Sequence, residues 1–289
     1  MSGTQIVGPL SLFVLMWIVG LELTPADFRR VLGAPAAVIG GTLAQLLLLP
    51  LMTWAVVVLL DVSPVFGAGA ILVAASPGAG MSNILTALAR ANTALSVTLT
   101  AVASLLSVFT LPAFAALGMR VFLGDRLEVE VPVGALTLQL LLALLLPIGL
   151  GMLTRARRPD LARRYGPRIQ RWAIVGLVAV IVLAAAFGEE PPPVDMADVR
   201  RGFLAAGVWT LAAMAIGWSV AFCLRLEAAD RFTFLIEFSA RNVAVATIVA
   251  LSGLERLDLT FFGGVYVAVG YPLAGAAVVW RRRRIAAAS

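Results

Sequence analysis

Histidine and lysine are both missing from this 289-residue chain, and cysteine occurs once. Without histidine there is no Ser-His-Asp triad, no Cys-His nucleophile pair and no imidazole ligand for zinc or haem. Without lysine as well, a serine such as Ser82 has neither of the usual bases to activate it, so an intramembrane enzyme lacks its second residue. Cys223 has no partner for an intrachain disulfide; it sits in an apolar run and is read as a buried, inert thiol. Charge is scarce too. Only 13% of residues are charged against 61% hydrophobic, with a mean hydropathy of +0.99, whereas soluble domains carry roughly 25% charged residues. This is the composition of an integral membrane protein.

What is there is a series of apolar runs of about 20 residues, the length that spans a bilayer as a helix. Nine such runs fall at about 6–23, 34–60, 65–90, 94–118, 131–153, 169–188, 202–224, 230–252 and 259–280. They lack the period-2 alternation of membrane strands, which predicts a helical bundle and not a barrel. The first run has no preceding arginine and no small-residue cleavage site after it, so it is read as a retained span and not a signal peptide. No break between runs is long enough for a soluble domain, and the chain reads as one membrane domain over 1–289.

A net charge of +6 would suggest nucleic acid in a soluble protein, but the arginines follow the membrane instead. Sixteen of the 22 lie in alternate breaks, at 29–30, 90, 155–171, 225–231 and 281–284, and five in the others, at 120, 126, 200, 201 and 256. The positive-inside rule then puts the C-terminus in the cytoplasm and the N-terminus outside, in a multi-pass protein of the plasma (inner) membrane. The acidic, proline-rich "GEEPPPVDMADVRR" becomes an outer loop, and the arginine-rich "TRARRPDLARRYGPRIQRW" a cytoplasmic one facing anionic headgroups. The bilayer is the partner this implies; nothing points to nucleic acid or to an obligate protein partner.

Two runs carry polar residues near their middle. In "GAGAILVAASPGAGMSNILTALAR", Pro77 removes a backbone donor and Gly78 and Gly80 tolerate non-helical dihedrals, so the helix is expected to unwind around residues 77–80. In "FLIEFSARNVAVATIVAL", Glu237, Arg241 and Asn242 sit in a similarly central place. These third and eighth runs are an odd number of spans apart, so they cross the membrane in opposite directions. Interrupted helices of that kind, meeting at the midplane of an inverted repeat, are a binding-site arrangement. Ser96 and Thr100, at i and i+4, share a helix face, and Gln45 is central in its run. Carboxylate, amide and hydroxyl oxygens together suit a hard monovalent cation.

These residues resemble the bile acid:sodium symporter family of secondary transporters. The likeness is carried by "VGLELTPADFRRVLGAPAAVIGGTLAQLLLLP", "ILVAASPGAGMSNILTALARANTALSVTLTAVASLLSVFTLP" and "IEFSARNVAVA", the first two forming a nearly unbroken match over residues 19–112. The resemblance implies an all-α inverted-repeat fold of core and panel, here in a nine-helix form, with a first repeat over about 1–120 and a second over about 130–289. It implies a first sodium site at Ser82, Asn83, Ser96, Thr100 and Glu237. It also implies a second at Gln45 and Glu237 with the backbone of Phe238 and Ala240, completed in the family by glutamine where this chain has Arg241. The "ASPGAGMSN" segment departs from the family's Gly-Gly-Thr version as well, so bile acids in particular are not implied.

The expected function is secondary transport of a small organic anion by sodium symport, with Na+ held at one site only. Glu237 and Arg241, in favourable i, i+4 order, are expected to pair on one helix, the guanidinium standing in for the second sodium. Pro77, Gly78, Arg241 and Asn242 are the candidate contacts for substrate. The alternatives are a sodium-independent transporter of an organic anion or of a metalloid oxyanion, the latter disfavoured by the lack of cysteine in the broken segment, and a non-transporting membrane sensor.

Overall fold

The computed structural model describes residues 33–124, 133–160 and 196–288, with isolated positions between 10 and 29 and at 168, 169, 172 and 175. The expected span at 6–23 is described only in part and that at 169–188 only at 169, 172 and 175, and most of the two long connectors lies outside the described residues.

Among the described residues the chain is helical throughout. Five helices are long and apolar enough to cross a membrane: α1 (Pro35–Leu59), α4 (Thr93–Leu123), α5 (Val133–Arg157), α6 (Met196–Cys223) and α9 (Phe261–Ala288, with a 3-10 turn at Asp258–Thr260). Two further runs are interrupted. The first is α2 (Pro64–Ala75) followed by α3 (Gly80–Leu88), and the second is α7 (Ala228–Ser239) followed by α8 (Val243–Ile248), which continues as a π turn at Val249–Gly253.

The ends fall within a few residues of the sequence expectation except where polar residues prolong a helix. The segment Met196–Arg201, expected in a loop, forms the first turns of α6, with Asp198 where the helix dipole favours an acid. At the other end of the chain, α9 runs through all four terminal arginines. Inside α5 a π turn at Leu141–Leu145 immediately precedes Pro147, whose missing N–H and ring displace the regular hydrogen bonding there.

The helices are turned inside out relative to a soluble protein. On α1 the outward stripe is Ile39, Leu43, Leu47, Leu51, Trp54 and Val58, each about half exposed, while Thr42, Gln45 and Thr53 are buried. Cys223 also faces outward, beside exposed Phe222 at the end of α6, which corrects the expectation of a buried thiol. It is tolerated because lipid is as apolar as a core.

Helix α2 is buried on every side from Phe66 to Ala75 and forms the centre of the bundle, in contact with α1, α4 and α9. Small residues allow this: a Cβ at Gly69 would strike the Leu259 carbonyl. Between α6 and α7, Gly217 lies against the Phe234 carbonyl in the same way. Adding a methyl there forces the two helices apart, and because α7 carries Glu237 the effect reaches the site. Gly217→Ala should cost about 1–3 kcal/mol, typical of overpacking, read as a lower thermal midpoint in detergent; an unchanged midpoint would show that the α6–α7 approach has slack.

Candidate ion-binding site at the helix crossing

The two interruptions meet. Residues 76–79 and 240–242 are extended, and Gly78 and Arg241 form a single antiparallel bridge. The Asn242 amide donates to the Pro77 carbonyl at 2.9 Å, and the Ala79 amide donates to the Ala240 carbonyl at 3.3 Å. Four backbone groups that unwinding would have orphaned in the interior are thereby satisfied. Asn242 also accepts from the Val245 amide at 3.2 Å and so caps α8.

Glu237 and Arg241 are the only charged residues among the buried polar groups described, and both are fully buried. They do not form the ion pair expected of an i, i+4 helical spacing: no contact within 4 Å joins them among the described residues. The reason is local. Helix α7 ends at Ser239, so residue 241 lies in the extended bridge and no longer on the face that carries Glu237.

Each charge goes instead to a different end of the first interruption. The Arg241 guanidinium sits at the C-terminus of α2, donating from Nη2 to the carbonyls of Ser76 and, at 3.3 Å, Ala74, while Nη1 donates to Gln45 Oε1 at 2.7 Å. A cation is favoured where helix carbonyls point outward. These carbonyls are not those of Phe238 and Ala240, the ones implied by the resemblance; the Ala240 carbonyl is taken by the bridge and the Phe238 ring stacks on Phe234. Arg241 Nε, Gln45 Nε2 and Thr42 Oγ1 are buried without a partner, so donor capacity on this side is unspent.

The Glu237 carboxylate lies beside the N-terminal turn of α3, pressed against Gly78, where a Cβ would collide with it and with Thr100 Oγ1. Thr100 donates to Oε1 at 2.6 Å, and Ser96 Oγ is 2.9 Å from Oε2. The i, i+4 reading of Ser96 and Thr100 is therefore realised on α4. Ser96 Oγ is also 2.9 Å from Asn83 Oδ1, although one hydroxyl hydrogen serves only one of these two acceptors. Ser82 Oγ donates to the Ala79 carbonyl at 2.6 Å and is 3.5 Å from Thr100 Oγ1. The cluster is rich in oxygen acceptors and poor in hydrogens, which is a condition a bound cation relieves.

Two contributors escaped the sequence reading. The Tyr266 hydroxyl accepts from the Arg241 amide at 2.9 Å and donates to the Ser239 carbonyl, while the Tyr271 hydroxyl donates to the Arg241 carbonyl at 2.9 Å. Both belong to α9 and hold the backbone of the second interruption. Ser76 turns its hydroxyl back to the Val73 carbonyl at 2.6 Å and closes the end of α2. Two tyrosines in one apolar span were the available signal, since a buried phenol needs a hydrogen-bond partner.

An all-helical bundle, as the described residues form, with two buried charges at the crossing of two interrupted helices is a polytopic membrane protein. The chain belongs to the sodium bile acid symporter family, whose family model matches residues 9–190. Among similar proteins are the probable sodium/metabolite cotransporter BASS1 of Arabidopsis thaliana chloroplasts, 28% identical over 94% of this chain and 66% of the relative, and sodium/bile acid cotransporter 4 of Mus musculus, 27% identical over 84% and 53%. The sodium-dependent transporter YocS of Bacillus subtilis is 28% identical over 61% and 53%. The chain thus spans half to two-thirds of the length of these relatives.

The tyrosine contacts generate a graded expectation. Tyr266→Phe strands the Arg241 amide and the Ser239 carbonyl, whereas Tyr271→Phe leaves the Arg241 carbonyl its bond from the Val243 amide at 3.1 Å; each buried unpaired group costs about 1–3 kcal/mol. Thermal unfolding should rank wild type above Tyr271→Phe above Tyr266→Phe, and equal midpoints for the two variants would contradict the bonding described.

Proposed function

We propose that this protein is a secondary transporter that moves a small organic anion together with sodium, and that it takes up one sodium ion per cycle, with Arg241 in the place of a second. The observation that carries this is the oxygen cluster around Glu237, in which Ser96 faces two acceptors with one hydrogen. Ser82, Asn83, Ser96, Thr100 and Glu237 are the residues that would hold the ion. They come from α3, α4 and α7, so a cation there ties both interrupted helices to α4.

The guanidinium supports the second half of the reading. Gln45 Oε1 and two backbone carbonyls around one buried positive charge form the kind of oxygen donor set that an alkali cation takes. A tethered cation meets that need permanently. The unpartnered donors Arg241 Nε and Gln45 Nε2 favour an anionic substrate group approaching from the same side; Pro77, Gly78 and Asn242 frame the crossing beside it. Ordering by sodium then raises the population of the state that binds substrate.

On this reading the nine spans are the five long helices, the two interrupted ones and the segments at 6–23 and 169–188. They form one domain with repeats over about 1–120 and 130–289, split into a core and a panel that rock about the crossing. The N-terminus lies outside and the C-terminus in the cytoplasm of the plasma membrane.

Two measurements test the proposal. Sodium chloride, compared with choline chloride at equal ionic strength, should raise the thermal stability of the purified protein, by about 2.7 kcal/mol at a hundredfold excess over the dissociation constant. Glu237→Gln should abolish this response and Arg241→Gln should add a second saturable component; a wild type indifferent to sodium would rule out symport. In liposomes, one sodium with one monovalent anion carries no net charge, so uptake should be unaffected by an imposed potential. A wild-type rate that follows the potential would rule out that stoichiometry.

A further inference from the structure

Away from the crossing, the end of α9 and the turn after α3 enclose a cavity of about 490 Å³. Arg90, Arg282 and Arg283 line it with Val279, Ile285 and Ala286, and among the described residues no carboxylate lines it. Its walls are fixed by a neighbour: Arg281 donates to the Ala89 carbonyl at 3.0 Å and to the Ala228 carbonyl at 3.3 Å, with its guanidinium 4.7 Å from the centre of the Phe232 ring. The two elements that bound the cavity are therefore held together by Arg281.

Arg90 occupies a costly position. The amides of Arg90 and Ala91 bond back to the carbonyls of Ala87 and Thr86, a helix-ending turn, and Arg90 has φ of 52°, in the left-handed region where glycine fits best. The backbone thus gains nothing from an arginine here, whereas the cavity gains a cation. Trp280 is half exposed, with the Arg284 guanidinium 4.4 Å from the centre of its ring, the kind of aromatic–basic pair enriched at membrane–water boundaries.

We propose that this cavity is a binding site for the phosphate of an anionic phospholipid. Arg90, Arg282 and Arg283 bind the phosphate oxygens, to which planar guanidinium forks are suited, and Val279 and Ile285 cover the first carbons of the lipid. The uneven distribution of arginine assigns this end of the bundle to the leaflet richest in anionic lipid. The bound lipid joins α3, which carries Ser82 and Asn83, to α9, which carries Tyr266 and Tyr271. It acts as a clamp behind the ion site and does not depend on which ion or substrate is carried.

The test is the thermal midpoint of the full-length protein in neutral detergent micelles containing phosphatidylglycerol, phosphatidylcholine, or no lipid with soluble glycerol 3-phosphate. Phosphatidylglycerol alone should raise the midpoint by several degrees, and Arg282→Ala with Arg283→Ala should remove most of that rise. Arg90→Gly is the control for folding, because glycine relieves the backbone at 90: its basal midpoint should hold or rise while its lipid response falls. Arg120→Ala, at a basic residue that does not line the cavity, should respond as wild type. An equal rise with phosphatidylcholine, or a full response in the arginine variants, overturns the proposal. An equal rise with glycerol 3-phosphate overturns the lipid assignment in favour of a soluble phosphate compound.

Discussion

The structure depends on two helices being broken at the same place. An unwound turn inside a membrane leaves amides and carbonyls with no water to receive them, and one such break would be a large cost. Two breaks placed against each other satisfy one another, through the Pro77–Asn242 and Ala79–Ala240 hydrogen bonds. The residual demand is electrostatic. Helix α2 presents carbonyls to the break, and α3 presents its positive N-terminal end. Arg241 answers the first and Glu237 lies at the second, which explains why two opposite charges four residues apart occur in an apolar run without touching.

That arrangement needs close approach and a rigid frame. Gly78 lets the carboxylate lie against the backbone, and Gly217 and Gly69 let α6 and the start of α9 come near the helices that carry the break. The frame is continued by hydroxyl groups. Tyr266 and Tyr271 brace the second interruption, Tyr266 packs edge-on against Trp209 at 5.3 Å, and the Trp209 indole donates to Thr53 Oγ1 at 2.7 Å on α1. The helix that supplies Gln45 and the helix that supplies the tyrosines are thereby linked through α6.

Much of this was legible in the sequence, and the limits have physical causes. Proline, glycine and apolar run length located the first break and most helix ends, because those are local properties of the backbone; the second break holds neither residue and was marked only by its central polar side chains. The i, i+4 spacing of Ser96 and Thr100 held because α4 is continuous there. The same rule failed for Glu237 and Arg241, since the helix stops between them, and a sequence spacing has meaning only on an unbroken helix. The choice of Ala74 and Ser76 as carbonyl partners was not legible at all. It follows from which half-helix end faces the guanidinium, a matter of tertiary placement.

A fixed cation changes what the site can do as well as what it binds. With Glu237 and Arg241 both charged, the empty crossing is neutral overall, and its charges are stabilised by helix ends and hydroxyl groups. On the proposed reading, adding one sodium ion makes it positive and adding one monovalent anion alone makes it negative. Either half-loaded form places an uncompensated charge in a region of low dielectric, where electrostatic costs are steep. Loading both restores neutrality. Movement is then favoured for the empty and the fully loaded protein and penalised for the two intermediates, which is the condition for coupled transport. A site with two mobile sodium ions and no arginine balances its charges differently, so on the proposed reading the single residue at 241 sets the charge that crosses the membrane as well as the number of ions.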